Sequence, residues 1–284
     1  MTTKFIKFIT IASIITGCLY VNKACAQKSF EDAIISKFDS LSHIKNASTV
    51  FAPALGPNDA ATGIMTPSGW GGSGTSIFGG LSGDYPEQYQ NNKPDLIVSG
   101  GVCTGDAQKY VNVAVGINMT DVHRLQDFSG NVIVSREIST GNSISAGALQ
   151  LFASSKYSDA PAPTYYIAYS HAIQWLPSQT PGCSALSYTI GIGNGRFLDK
   201  SLDDIEAGKG KYATAVFGSV SYEIIKHTNL SAEWDGQNLG VSLTTRPFPK
   251  SPFSIGIGAD NLTRYTGDKT SMVFAVGYPL SLIK

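Results

Sequence analysis

The stretch Tyr110–Met119 reads Y-V-N-V-A-V-G-I-N-M, and its residues alternate in character. One parity is apolar throughout and consists of Val111, Val113, Val115, Ile117 and Met119. The other parity is small or polar and includes Asn112 and Asn118. Successive side chains of a β-strand point to opposite faces. The alternation therefore predicts a strand with one apolar face and one polar or tightly packed face.

This alternation recurs along the chain from Gly74 onward. We predict twelve strands, at residues 74–84, 94–103, 108–119, 128–139, 143–153, 164–175, 184–195, 211–225, 228–235, 237–246, 252–262 and 270–281. Bacterial outer-membrane barrels have an even number of antiparallel strands and an apolar outer face. We therefore predict an all-β fold, in which residues 74–284 form a closed antiparallel up-and-down transmembrane β-barrel. A secreted soluble β-sandwich is the alternative fold.

The lengths of the connectors favour the barrel. Short connectors such as Thr104–Asp106 and Thr140–Asn142 alternate with longer ones, which are 85–93, 120–127, 154–163 and 196–210. Outer-membrane barrels alternate short periplasmic turns with longer outer loops. Two connectors depart from this rule, because 176–183 is long for a periplasmic turn and Trp234–Gln237 is short for an outer loop.

The charged residues within 230–235, 239–246 and 253–260, in three successive predicted strands, share one parity. Apolar residues such as Leu230, Val241 and Ile257 occupy the opposite parity. A charge facing lipid at the midplane of a membrane costs about 2–4 kcal/mol for Arg or Lys, so these charges are expected to face the lumen. Arg136 and Gln150 are exceptions on the lipid-facing parity, and we expect Arg136 to lie near a rim.

The inward charges form the candidate site. Glu233, Asp235 and Asp260 lie with Arg246 on three successive predicted strands. Opposite charges facing a lumen can line a pore constriction and orient a solute. They can equally brace a narrow barrel as an ion-pair network without conduction, and the sequence leaves both interpretations open. The further lumen-lining candidates are Glu223, Asn112 and Asn118.

The N-terminus has the pattern of a secretory signal. Lys4 and Lys7 precede the apolar run Phe8–Val21, and Ala24-Cys25-Ala26 offers small residues to signal peptidase. We therefore expect residues 1–26 to be a signal peptide that is cleaved near Ala26. A lipoprotein-like box that ends at Cys18 is the alternative, and it would lead to lipidation of that cysteine. Export and the barrel pattern together predict the outer membrane of a Gram-negative-type bacterium.

Residues 27–73 differ from the strand region. Ser29–Ile44 carries Phe30, Ile34, Phe38 and Leu41 at helical spacing, which predicts a short N-terminal amphipathic helix. Prolines and glycines in residues 52–74 predict an irregular connector. The helix could pack under the barrel in the periplasm, or it could act as a plug or bind a partner.

Composition and motifs argue against several other functions. The formal net charge is +0, so the chain has no nucleic-acid footprint. His171 follows Ser170, but adjacent strand residues point to opposite faces. The sequence has no metal-ligand spacing, phosphate loop or serine nucleophile elbow. We therefore expect no enzyme activity, no metal and no cofactor.

Two cysteines remain after the predicted cleavage, Cys103 and Cys183. An oxidising periplasm would allow them to form a disulfide. The sequence leaves open whether they pair or stay free.

Several motifs in the C-terminal half resemble segments of uncharacterised Gram-negative outer-membrane barrel proteins. They are G-I-G-N-G-R-F (Gly191–Phe197), S-A-E-W-D-G-Q-N-L-G-V-S-L (Ser231–Leu243), R-P-F-P (Arg246–Pro249) and G-A-D-N-L-T (Gly258–Thr263). The resemblance implies an outer-membrane β-barrel, and it implies no particular activity or site.

These observations predict a passive or weakly selective channel for small solutes. Its expected partners are outer-membrane lipid, the barrel-assembly machinery and the solutes themselves. The alternative is a structural or surface-binding barrel that its N-terminal segment closes, without transport.

Overall fold

The computed structural model describes residues 55–86, 94–122, 126–153, 163–248, 250–263, 265 and 269–283. The predicted signal peptide and the predicted helix at Ser29–Ile44 lie outside these residues. In the described part of the chain, no helix is long and apolar enough to cross a membrane.

Twelve antiparallel strands form a closed barrel, as the sequence predicted. They are β2 (Thr75–Tyr85), β3 (Asp95–Gly105), β4 (Asn112–Asp121), β5 (Gln126–Ser139), β6 (Asn142–Leu151), β7 (Thr164–Ala172), β9 (Leu186–Gly193), β10 (Val216–Ile225), β11 (Thr228–Trp234), β12 (Leu239–Thr245), β13 (Ser254–Asp260) and β14 (Ser271–Ile283). Each strand pairs with the next along the chain, and β14 pairs with β2 to close the ring. The largest boundary difference is at β10, which begins at Val216 instead of residue 211.

Several short elements are not part of the twelve-stranded ring. Strands β1 (Gly56–Pro57) and β8 (Cys183–Ser184) form a separate two-stranded parallel ladder. A 3-10 turn at Gly195–Phe197 and the five-residue helix α1 (Leu202–Glu206) lie in the connector between β9 and β10. Ser201 caps α1, because its hydroxyl accepts a hydrogen bond from the Asp204 N–H.

The pairing register defines two ends of the barrel. We call the end at which Thr75 of β2 pairs with Ile283 of β14 the near end. The connectors 106–111, 140–141, 173–185, 226–227 and 246–253 lie there. We call the opposite end the far end, and the connector 194–215 and the tight turn 235–238 lie there.

The outer face of the barrel is apolar around its circumference. Large apolar side chains of the described strands are exposed on it, among them Ile77, Val102, Val115, Ile117, Ile167, Ile192, Val220, Leu230, Val241 and Ile257. Exposed aromatic residues gather toward the two ends. Tyr85, Phe128, Phe152, Tyr165 and Tyr212 lie toward the far end, and Tyr110, Trp175, Tyr188, Tyr222 and Tyr278 lie toward the near end.

The two exceptions to the predicted parity have structural explanations. Arg136 is exposed on the outer face three positions before β5 ends at Ser139, close to the near rim. At Gln150 the ladder contains a bulge, because Leu149 and Gln150 together oppose Asn131. Gln150 has a φ of 55° and lines a cavity inside the barrel. The bulge therefore turns a side chain of lipid-facing parity toward the lumen.

Candidate functional site

Residues 55–73 run inside the barrel as a re-entrant segment, which we call the luminal hairpin. At the near end, Asn58 Nδ2 donates to Asn229 Oδ1 of β11 at 2.7 Å. Further along, the Met65 N–H reaches Glu233 near the far end of the same strand. The chain then returns, and the Gly69 carbonyl accepts from Ser143 Oγ at 2.6 Å near the near end of β6. The predicted irregular connector is thus an ordered insert in the lumen.

The carboxylate of Glu233 holds the apex of the luminal hairpin. Its oxygens accept hydrogen bonds from the backbone N–H groups of Ile64, Met65 and Thr66 at 2.9–3.0 Å. The Thr66 hydroxyl donates at 3.0 Å and the Ser242 hydroxyl donates at 2.6 Å. Glu233 is 1% exposed. A buried carboxylate must be compensated by donors, and here five donors supply the compensation.

The entry of the luminal hairpin is held at the near end. Asp59 forms an ion pair with Arg246 (Nη1–Oδ2, 2.9 Å) and a hydrogen bond with His227 Nδ1 at 2.8 Å. The Leu55 N–H donates to Gln174 Oε1 at 2.8 Å, and its carbonyl accepts from Gln174 Nε2 at 2.9 Å.

The connector 173–185 is long because part of it binds the hairpin. Its strand β8 pairs with β1, the strand at the start of the luminal hairpin. The departure of this near-end connector from the short-turn rule therefore has a structural cause.

The returning leg packs closely against β6 and β7. The Gly69 N–H donates to Ser170 Oγ at 2.7 Å, and Ser145 Oγ donates to the Ser68 carbonyl at 2.8 Å. A Cβ atom added at Gly69 would lie 2.6 Å from the Ser143 carbonyl oxygen. Only glycine fits this approach between the hairpin and the wall.

The four predicted inward charges do not form one cluster. Glu233 pairs in register with Gly240 toward the far end of β12, whereas Arg246 follows Thr245 at the near end. Antiparallel pairing thus places Arg246 a strand length away from Glu233 and Asp260, and it contacts Asp59 instead. The predicted grouping of Arg246 with the three acids is therefore wrong. The arginine that lines the same cavity as Asp235 and Asp260 is Arg196, in the 3-10 turn.

Three of the four motifs that carry the family resemblance meet at the far end, whereas the fourth begins at Arg246 at the near end. Asp235 Oδ1 accepts from the N–H groups of Gln237 and Asn238, which forms the tight turn. Gln237 Nε2 donates to the carbonyls of Arg196 and Asp199 at 2.7 and 3.0 Å. Burial raises the pKa of Asp235, and the two N–H donors oppose that shift. These contacts fasten the 3-10 turn across the barrel end.

An aromatic cluster lies inside the barrel beneath that turn. Phe197 stacks on Phe217 with ring centroids 4.3 Å apart, and Tyr166 meets Phe217 edge-on at 5.9 Å. Phe197 and Phe217 are 0% and 1% exposed. The connector 194–215 therefore packs into the lumen through Phe197, beside the short far-end turn whose Gln237 binds it.

The other three predicted lumen residues also have specific contacts. Glu223 is buried at the near end and accepts from the N–H groups of Gln179 and His227. Asn112 is 3% exposed and donates to the carbonyls of Thr104 and Gly105.

Asn118 donates to Ser129 Oγ at 3.4 Å.

The two described cysteines are both free thiols. Cys103 Sγ donates to Asn112 Oδ1, and Cys183 lies in the connector that carries β8. Burial, together with the nearby carboxylates of Asp59 and Glu223, raises the pKa of the Cys183 thiol.

Ser170 and His171 point to opposite faces of β7, as the sequence predicted. Ser170 Oγ is inside the barrel and lies 2.6 Å from Thr189 Oγ1. His171 Nδ1 lies 2.8 Å from Asn142 Oδ1, and the His171 ring packs on Tyr188 at 5.5 Å. The two side chains therefore do not form a nucleophile–base pair. No group of three or more metal-ligating side chains occurs in the described residues.

Two cavities remain beside the luminal hairpin. The larger, of about 710 Å³, lies between the hairpin and the inner faces of β13, β14 and β2 to β5. The smaller, of about 230 Å³, lies toward the far end, and its charged lining residues are Asp84, Asp95, Arg196, Asp235 and Asp260. The linings of the two cavities share Ile64, Ser82 and Ala275, so the cavities adjoin at these three residues.

Sequence reasoning missed the residues that divide the lumen. Asp59 and Thr66 lie in a segment that was predicted to be a connector, and Arg196 lies in a predicted outer loop. One signal could have found the hairpin: residues 61–73 are rich in glycine, serine and threonine and lack charge, which matches the inward parity of the strands.

Comparisons with known proteins identify similar barrels and no family. No family model matches the chain, and no curated protein matches it significantly. Among solved structures, the KdgM porin is 14% identical with a TM-score of 0.40, and the match covers 72% of this chain and 98% of that one. The outer membrane phospholipase of Salmonella typhi, solved as a dimer with bound calcium, is 8% identical with a TM-score of 0.38, covering 72% and 90%. Outer membrane phospholipase A from Escherichia coli is 7% identical with a TM-score of 0.37, covering 75% and 98%. At these identities and TM-scores, the likenesses assign this chain no function.

Proposed function

We propose that this chain spans the outer membrane and passively conducts small solutes through the part of the lumen that the luminal hairpin leaves unfilled. The observation that carries the proposal is the pair of adjoining cavities along β14 and β2, which follow the barrel wall from its far half to its near half.

The outer surface supports placement in a membrane. A soluble protein rarely exposes a contiguous apolar patch larger than a few hundred Å². Here apolar side chains are exposed on every described barrel strand, and aromatic residues gather toward both ends of the barrel. An apolar band between two aromatic girdles is the surface that a lipid bilayer requires.

A pair of lysine substitutions on β4 tests this placement. Val115 is 50% exposed on the outer face, whereas Asn118 is on the inner face. We expect Val115→Lys to destabilise the inserted barrel by about 2–4 kcal/mol and Asn118→Lys to have a much smaller effect. Heat-modifiable migration on gels and fractionation with outer membranes measure assembly. Equal assembly of both variants would contradict a lipid-facing Val115.

The passage is narrowest, on this proposal, where the cavities meet. Ile64 projects from the hairpin there, opposite Ser82 and Ala275 of the wall. All three side chains are uncharged, so the neck admits solutes by size. A twelve-stranded barrel is intermediate between side-chain-filled eight-stranded barrels and wide porins, and the hairpin narrows it further.

Blocking the neck tests conduction. We expect Ala275→Trp to lower single-channel conductance in planar bilayers at least about tenfold, because an indole would fill the space beside Ile64. Leu280→Trp is the control, since Leu280 is 48% exposed on the outer face of the same strand. If the conductance of Ala275→Trp equals that of the wild type, the ions do not pass between Ile64 and Ala275, and the proposed path is wrong.

The Glu233 contacts favour a second candidate, a structural barrel that the hairpin closes. Four hydrogen bonds from the hairpin to one buried carboxylate are more than a loosely held insert requires. On this alternative the intact protein is silent in bilayers, and deletion of residues 28–73 opens a conductance. If the intact protein does not conduct and the deletion variant does, the closed barrel and not the channel is the function of this protein.

A further inference from the structure

We infer that the passage is built for uncharged, hydroxyl-bearing solutes of about the size of a monosaccharide and that it disfavours anions. The inference rests on the proposed function and names the solute class of the same passage. It follows from the different linings of the two cavities.

The larger cavity is uncharged along its whole described lining. Its hydrogen-bonding groups are neutral, and they include the hydroxyls of Ser76, Ser82 and Ser99. An ion that enters this cavity exchanges water for neutral dipoles, with no opposite charge to compensate it. A neutral solute with several hydroxyls can replace its lost water contacts with these groups.

Aromatic surfaces lie beside those hydroxyls. Trp70 of the luminal hairpin and Phe78 of β2 both line the larger cavity. The indole Nε1 of Trp70 is buried and has no hydrogen-bond partner among the described residues. A small-molecule site combines apolar or aromatic walls with a few placed polar groups, in a volume of about 300–1,000 Å³. The larger cavity, at about 710 Å³, has that combination.

The charged lining of the smaller cavity determines which solutes reach the larger cavity. Four carboxyl groups line it, on Asp84, Asp95, Asp235 and Asp260, against the single guanidinium of Arg196. In their ionised state, carboxyl groups that line a narrow aqueous cavity repel anions. The passage thus consists of an acidic cavity toward the far end, followed by the uncharged larger cavity.

Three sugars of matched size separate charge from shape. Wild-type protein in proteoliposomes is tested by osmotic swelling with glucose, glucosamine and glucuronate, which carry no charge, a positive charge and a negative charge. We expect glucose to enter fastest and glucuronate at least about tenfold more slowly, the factor that about 1.4 kcal/mol of additional barrier produces. Glucuronate entry at the rate of glucose would overturn the inference.

Variants assign the discrimination to the two cavities. Asp84→Asn combined with Asp260→Asn should raise the ratio of the glucuronate rate to the glucose rate several-fold. Asp203→Asn is the matched control, because Asp203 is exposed on α1 outside both cavities. Trp70→Ala removes an aromatic face from the larger cavity, so glucose should block ion flow less strongly in single-channel recordings. A Trp70→Ala variant with unchanged glucose block would show that the larger cavity does not bind the sugar, and it would overturn the inference.

Conductance in potassium chloride distinguishes this inference from the proposed function. A wild-type protein that conducts potassium chloride but does not discriminate among the three sugars retains the proposed channel and overturns the inference. A correctly folded wild-type protein without any conductance overturns both.

Discussion

Two parts of the inner wall of this barrel differ sharply in what they contact. We call the inner faces of β6, β7 and β9 to β12 the filled wall, because they contact the luminal hairpin or carry the aromatic cluster around Phe217. We call the inner faces of β14, β2, β3 and β4 the bare wall. Both walls obey the same alternation of apolar and small or polar residues in the sequence. Their difference shows that inward polarity alone does not tell whether a strand faces protein or an open cavity.

Hydrogen bonding to the hairpin explains part of the difference. The filled wall presents Asn229, Glu233 and Thr244, whose polar atoms reach the backbone of the hairpin. The bare wall presents mainly short side chains, such as Ser82 and Ala275, and the described residues show no hydrogen bond between it and the hairpin. Polar side chains that reach the backbone of the hairpin therefore hold the inserted chain against one side of the lumen and leave the other side open.

The largest effect should come from the apex of the hairpin. Glu233→Gln replaces one acceptor oxygen with an NH2 group that faces existing donors. Each buried N–H without an acceptor costs about 1–3 kcal/mol, so the hairpin should detach from the filled wall. We expect a several-fold increase in single-channel conductance and faster proteolysis within residues 55–73.

Glu137→Gln is the control for that variant, since Glu137 accepts one hydrogen bond from the Gly141 N–H at a near-end turn. If Glu233→Gln matches the wild type in both measurements, the filled wall does not depend on this carboxylate.

Glycine substitutions compare the space along the two walls. A Cβ atom at Gly191 would lie 2.1 Å from Phe217 Cζ and 2.8 Å from the Ile167 carbonyl oxygen. At Gly116 of the bare wall, the nearest atom would be Phe78 Cζ at 3.4 Å, an ordinary contact. We expect Gly191→Ala to lower the free energy of unfolding by about 1–3 kcal/mol through overpacking, and Gly116→Ala to change it by less. Urea unfolding followed by gel mobility measures both, and equal losses would deny the difference in packing.

The smallest effect should come from the entry of the hairpin. Asp59→Asn removes the ion pair with Arg246. The side chain of Asp59 is 27% exposed and that of Arg246 is 22% exposed. Pairs with this much solvent contact contribute about 1 kcal/mol or less. We expect a small rise in the frequency of open events in single-channel recordings, with little change in unfolding. A change as large as that of Glu233→Gln would mean that the entry, and not the apex, holds the hairpin.

The sequence predicted some of the candidate site and misplaced the rest. Glu233 and Asp260 were expected to face inward, and the parity that indicated this is local to their own strands. Arg246 was grouped with them because it shares their parity, but parity says nothing about height along the barrel. The hairpin apex at Thr66 could not be predicted, because its contact with Glu233 joins residues that are 167 positions apart.

The sequence by itself determined the twelve strands, their inner and outer faces and the closed antiparallel barrel. It could do so because these features follow from a period of two and from short-range turns. Only the tertiary structure decided what fills the lumen. Residues 55–73 have no periodicity of their own, and they take their path from buried donors and acceptors on distant strands. The tertiary structure also decided which charges meet, because antiparallel register sets the height of Arg246 and Arg196 along the barrel.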